Sequence, residues 1–189
     1  MPKNTGKNFE YEFSRSLRDF AQSHPDFWWS RWPDYQDFSS TSHYRANKAP
    51  ADFIALYKGQ FHAYECKSSV GTRFNLEWVK PHQYDSLMHL KRCGALSFIA
   101  FSLRTNPDIH RSKARCFLID ISDYSLLQEK CIEADMASIP LENIEMVGIE
   151  LKPTMVRVGA MKRRGRGWSL PHLLSPQEIL SPHTKQKRR

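Results

Sequence analysis

The stretch that decides the fold runs from Asp52 to Lys67, DFIALYKGQFHAYECK. Residues 52–57 and 60–67 are strand-like runs flanking Lys58-Gly59, and a two-residue link with glycine second is a hairpin signal. With two loop residues Tyr57 pairs with Gln60, every pair of numbers sums to 117, and Asp52 falls opposite Glu65. Directly opposed residues have Cβ atoms ~5 Å apart, where two carboxylates repel unless a cation sits between them. Side chains alternate along a strand, so Glu65 and Lys67 share a face. Asp, Glu and Lys thereby converge on one small volume.

Oxygen ligands from two carboxylates suit Mg²⁺, which keeps several waters and binds through few protein groups plus substrate phosphate; Mn²⁺ can substitute. A lysine beside such a pair can orient or deprotonate the water that attacks phosphorus. The alternative is a surface hairpin with a cross-strand ion pair. Against it, Glu65 stands between Tyr64 and Cys66 in an otherwise apolar strand and is expensive to bury without a partner.

Upstream, Phe9, Phe13, Leu17, Phe20 and Ala21 recur at helical spacing from Asn8 to about Ser23, before His24-Pro25. Advancing 100° per residue from Phe9 puts Glu10 at about 100°, inside the apolar stripe, and Glu12 at about 300°, pointing away. An acid on the core-facing side fits a third carboxylate reaching toward the hairpin; the alternative is an N-terminal acid favoured by the helix dipole. Phe27, Trp28, Trp29 and Trp32 form an aromatic run, of which the three tryptophans are expected to fill the core between sheet and helix, with stacking on unpaired bases as the alternative, and Asp34 to Pro50 reads as polar loop.

Downstream, Lys80 to Arg92 reads as a helix stopped by Gly94, residues 95–103 and 116–121 as buried strands, and 122–131 as a helix with a Ser/Asp cap. The order predicts a mixed α/β sheet with helices on its faces. Cys66, Cys93, Cys116 and Cys131 match neither a zinc knuckle nor a compact disulfide framework and read as reduced, mostly buried thiols. No run is long and apolar enough for a membrane span, and the polar start lacks a signal-peptide core, which points to the cytoplasm.

Charge divides the chain. Lys and Arg number 28 against 20 Asp and Glu, yet residues 1–151 hold 18 basic and 19 acidic side chains while 152–189 hold 10 and one. The expected organisation is a folded domain over 1–151 and a basic extension over 152–189. In the extension, Arg157, Lys162, Arg163, Arg164 and Arg166 are candidate phosphate contacts, and Trp168, with no apolar neighbours close in sequence, is a candidate for stacking on bases. The alternative is a solvated charge run.

Asp52 followed by Glu65-Cys66-Lys67 resembles the PD-(D/E)xK nuclease motif, with Ala51-Asp52 in place of Pro-Asp. Within that superfamily the chain is most similar to Holliday-junction resolvases of the bacterial RecU-like and archaeal types. Gly6 and Glu10 on the first helix, the 13-residue step from Asp52 to Glu65, Pro81-His82-Gln83, Ser138-Ile139-Pro140-Leu141 and Gly148-Ile149-Glu150-Leu151 carry the resemblance over residues 5–151. The family usually has a hydroxyl residue where Ala51 stands, leaving Ser40, Thr41 or Ser42 as substitutes, and its stalk segment is longer than the link from Trp32 to Asp52.

The resemblance implies a restriction-endonuclease-like mixed sheet flanked by helices. It also implies a metal-dependent endonuclease acting on branched DNA, the four-way junction, as a homodimer in a bacterium or its phage. Asp52, Glu65, the Cys66 carbonyl and Glu10 are then metal ligands, Lys67 the water-orienting base and Gln83 a water- or phosphate-positioning residue. Two rival expectations are a restriction or repair nuclease of the same superfamily and a non-catalytic basic module that only binds nucleic acid.

Overall fold

Lys58 and Gly59 both take positive φ, 48° and 80°, as a tight two-residue hairpin turn between twisted strands requires. The turn joins β2 (Phe53–Tyr57) to β3 (Gln60–Val70), which pair antiparallel from Phe53 with Tyr64 to Tyr57 with Gln60. The predicted register, with paired numbers summing to 117, is therefore the one formed. The computed structural model describes residues 5–32, 49–104, 113–158 and 163–170. The polar segment 34–48, Lys162 and the chain after Leu170 lie outside the described residues, and with them Ser40, Thr41 and Ser42.

Around the hairpin the chain forms α1 (Thr5–Ser23), β1 (Phe27–Arg31), β4 (Arg73–Asn75), a short 3₁₀ turn (Leu76–Trp78), α2 (Pro81–Arg92) and β5 (Leu96–Arg104). It continues through β6 (Ala114–Asp120), α3 (Ile121–Glu133), β7 (Ser138–Pro140), α4 (Leu141–Val147), β8 (Ile149–Leu151), β9 (Pro153–Val158) and β10 (Arg163–Trp168). The main sheet has six strands in the order β1-β2-β3-β5-β6-β8. Among the described strands only β3 and β5 pair parallel, and α2 makes the crossover that parallel pairing requires. This is the mixed α/β architecture the residues predict.

Each face of the sheet has its own core. On one, Phe9, Phe13, Leu17 and Phe20 of α1 pack on Phe53, Tyr64, Cys66 and Phe98, each ring worth roughly 1.5–3 kcal/mol on burial. On the other, Leu87 of α2 and Tyr124 and Leu127 of α3 cover Ala63, Phe101 and Ile119. Asp120, rather than a residue inside the helix, caps α3 by accepting from Ser122 N at 2.8 Å. Cys66, Cys116 and Cys131 are buried and Cys93 is exposed, all with free thiols.

Three expectations are corrected. Trp168 is 1% exposed and belongs to the core under α1, so its ring is closed to base stacking; its apolar neighbours are distant in sequence and near in space. The packed structure does not end at residue 151, because β9 and β10 form a hairpin lying on α1, with Trp168 N donating to Ser16 Oγ at 2.7 Å. Trp29 packs against the core as expected, but Trp28 is 54% exposed on the edge strand β1, opposite Leu56.

The helical wheel also misplaces Glu12, which is 4% exposed and pairs with the fully buried Arg104 at 2.9 Å. Ser16, one turn on, is 2% exposed. The helix is covered by the sheet and by the β9–β10 hairpin, so its buried arc is wider than its apolar stripe.

Candidate active site

Strand alternation builds the site. Tyr64 and Cys66 point into the core under α1, while Ala63 faces α2, so Glu65 and Lys67 emerge on the α2 side. Asp52 immediately precedes β2 and is held from two directions. Its carbonyl accepts from Trp32 N at 2.9 Å, extending the pairing with β1, and its carboxylate accepts from Cys66 N at 2.7 Å. The turn register thus delivers Asp52 beside the Glu65-Cys66-Lys67 backbone.

Glu65, Lys67 and Gln83 close a ring of hydrogen bonds. Lys67 Nζ donates to Glu65 Oε1 at 2.7 Å and to Gln83 Oε1 at 2.9 Å, and Gln83 Nε2 donates to Glu65 Oε1 at 2.5 Å. Gln83 Oε1 also accepts from Lys80 N at 3.1 Å, which ties the ring to the first turn of α2. Pro81 opens that helix, where a missing N–H leaves no helix bond unmade.

Electrostatics single out Glu65. Its side chain is 3% exposed, and its pKa is pushed up from 4.5 to about 7, first by burial and next by the Asp52 carboxylate. Lys67 acts in the opposite direction, and Glu10 adds a further upward push. Two acids held together in a desolvated site against one ammonium leave excess negative charge, the electrostatic condition for a divalent cation. The residues present therefore fit such an ion, with Asp52 and Glu65 supplying hard oxygen. Among the described residues no three His, Cys, Asp or Glu side chains come together as a metal-holding group. Cys66 has its thiol buried and its pKa raised, by burial foremost, so any contribution from that residue falls to its backbone.

Glu10 is close enough for its charge to be felt at Glu65 and Cys66, and its Oε2 accepts from Arg31 of β1 at 2.7 Å. Arg31, which no motif marks, is the residue that sequence reasoning missed beside the site. Among the extension candidates, positions 157, 163, 164 and 166 lie on the β9–β10 hairpin, and Trp168 is internal.

A six-stranded mixed sheet that presents Asp, Glu and Lys from one hairpin, backed by a helix-borne Gln, defines the PD-(D/E)xK class of site. The profile of the family Recombination protein U, RecU, matches residues 32–159, more than half of the chain. The chain belongs to the RecU family.

A curated relative, the Holliday junction resolvase RecU of Mycoplasmopsis pulmonis, is 27% identical over 99 residues, 52% of this chain and 59% of the relative. The chain thus spans somewhat more than half the length of that relative. Among solved structures, Archaeoglobus fulgidus Hjc, a Holliday junction resolvase, is similar with a TM-score of 0.41 at 18% identity, over 72% of this chain and 94% of that one. No helix among the described residues is long and apolar enough to cross a membrane.

Proposed function

We propose that this protein is a divalent-metal-dependent endodeoxyribonuclease that resolves four-way DNA junctions by paired phosphodiester hydrolysis. The observation that carries the reading is the buried Glu65 joined to Lys67 and Gln83, with Asp52 fixed on the adjacent amide. Membership of the RecU family supports the substrate class.

The side chains divide the work. Asp52 and Glu65, with the Cys66 carbonyl and Glu10 as accessories, would hold Mg²⁺ or Mn²⁺. The ion supplies charge neutralisation and Lewis-acid polarisation of the scissile phosphate. Lys67 Nζ, fixed by two acceptors, orients the attacking water; as the neutral amine, once it has released a proton to solvent, it is the group placed to take the proton of that water, and the departing 3′-oxygen takes a proton from solvent. Gln83 sets the distance between Lys67 and Glu65 and offers its amide to water or phosphate. The P–O3′ bond breaks, leaving a 5′-phosphate. Symmetric cleavage of a four-way junction needs two sites related by a two-fold axis, so the working form is a homodimer, acting in the cytoplasm of a bacterium.

The test is a labelled immobile four-way junction incubated with the protein, with and without Mg²⁺, beside linear duplex of equal sequence. Paired symmetric nicks confined to the junction and dependent on Mg²⁺ are expected. Equal cutting of linear duplex would make the chain a nuclease of another specificity, and binding without scission would reduce it to a nucleic-acid-binding module.

A further inference from the structure

Gln83 stands in the first turn of α2, and its side chain turns back on Lys80, the residue that caps the helix start. Gln83 Oε1 accepts from Lys80 N at 3.1 Å, one half of the reciprocal bonding by which helix starts are capped. The same oxygen accepts from Lys67 Nζ at 2.9 Å. Because both donors meet on one atom, Lys80 N and Lys67 Nζ stand no more than about 6 Å apart. Lys80 thus lies on the α2 side of the sheet, where Glu65 and Lys67 emerge. Its backbone is fixed from both sides, by Val79, 6% exposed in the core under α2, and by Pro81, which opens the helix.

The side chain of Lys80 is exposed, and among the described residues no hydrogen bond or ion pair engages its ammonium. Charge arithmetic gives that ammonium a partner. Asp52, Glu65 and Lys67 together with a divalent ion carry one net positive charge, which the scissile phosphodiester cancels. A DNA strand brings a further negative charge with every ~3.4 Å of its axis, so the next phosphate finds no counter-charge left in the ring. Glu10 and Arg31, at the end of β1, offset each other at 2.7 Å. Lys80 supplies an uncommitted cation, on a four-carbon stem that carries it past Gln83.

We infer that Lys80 grips the phosphate next to the scissile one and so sets the register of the cut strand on the candidate site. The inference rests on the nuclease reading above. Through Gln83 Oε1, the group that orients the water and the residue that holds the neighbouring phosphate are kept at one spacing.

The experiment is a cycle between one side chain and one phosphate. The cuts in a labelled four-way junction are first mapped with the wild type and Mg²⁺. Wild type and Lys80→Gln, both full chains, are then titrated in chelator against that junction and against versions with an uncharged methylphosphonate at either phosphate flanking the cut. On the unmodified junction Lys80→Gln is expected to lower the log–log salt slope by about 0.9, so its deficit shrinks about three- to fourfold between 50 and 200 mM salt. On one of the two neutralised junctions wild type and variant should bind equally, the coupling that a direct contact produces. Lys80→Arg should keep the wild-type slope, as should Lys130→Gln, which removes an exposed lysine of α3. The same methylphosphonate penalty in wild type and Lys80→Gln at both positions, or a loss in Lys130→Gln as large as in Lys80→Gln, overturns the inference alone. A wild type that cuts no junction with Mg²⁺ overturns the resolvase reading, and this one with it.

Discussion

Glu12 of α1 and Arg104 at the end of β5 meet at 2.9 Å with both side chains almost wholly withdrawn from water. Removing one partner of such a pair strands a buried charge, so Glu12→Gln and Arg104→Met should each lower unfolding stability by about 3 to 5 kcal/mol. The double change E12L/R104M should recover most of the loss, since an apolar couple of similar volume needs no counter-charge. Denaturant midpoints of the three variants are the measurement; unchanged midpoints in both singles would show the pair to be dispensable, and a double variant as weak as the singles would refute the apolar replacement. Glu10→Gln, whose partner Arg31 is largely exposed, should leave the midpoint within ~1 kcal/mol of wild type while slowing cleavage.

Asp52→Asn, Glu65→Gln and Lys67→Ala should each abolish cleavage and leave junction binding largely intact, since they act on ion and water rather than on the arms. Burial and the facing Asp52 both penalise the Glu65 charge. Glu65→Gln should therefore raise the melting midpoint of the protein in chelator, by roughly 2–4 °C per kcal/mol relieved. A variant of the three with near-normal turnover would refute the site assignment.

Gln83 joins Glu65 to Lys67 and also bonds Lys80 N, so truncating it loosens three contacts at once. Gln83→Ala should reduce single-turnover cleavage by about 10- to 100-fold, the range for losing a partner that orients a ligating side chain. A positioning role would lower the single-turnover rate at saturating junction with the melting midpoint unchanged, whereas a purely structural role would lower the midpoint in step with the rate.

His62 is 0% exposed, stacked beside Tyr64, with neither ring nitrogen hydrogen-bonded among the described residues. Burial lowers its pKa from 6.5 to about 4, so the unfolded chain takes up the proton first. The resulting stability is present above pH 6.5 and drains away as the pH falls through about 4, up to about 3 kcal/mol. His62→Phe should flatten this part of the acid limb without loss at pH 7.5, as followed by chemical denaturation at pH 7.5 and 4.5. A variant with the wild-type acid dependence would remove His62 from the account.

The hairpin and its acids were legible because a two-residue turn is a local rule: φ at Lys58 and Gly59 fixes the partner of every residue up to Tyr64. The buried side of α1 was legible only where it is apolar. Glu12 faces inward because Arg104 waits there, 92 positions away, and no periodicity records a partner so distant. Trp168 was misread for the same reason, since its core is assembled from α1 and the central strands. Arg31 was invisible for another reason, being one of many exposed arginines until β1 is placed beside α1.

The Lys58-Gly59 turn also constrains how a chain of this kind can vary in length. Inserting one residue on either strand between Asp52 and Glu65 would slide the pairing by one and turn the acid to the opposite face, exchanging it for Tyr64 or Cys66 in the site. Between the two acids the residue count is thus locked by parity. The spacing of the two acids is in that sense inherited from the turn rather than set by the acids themselves.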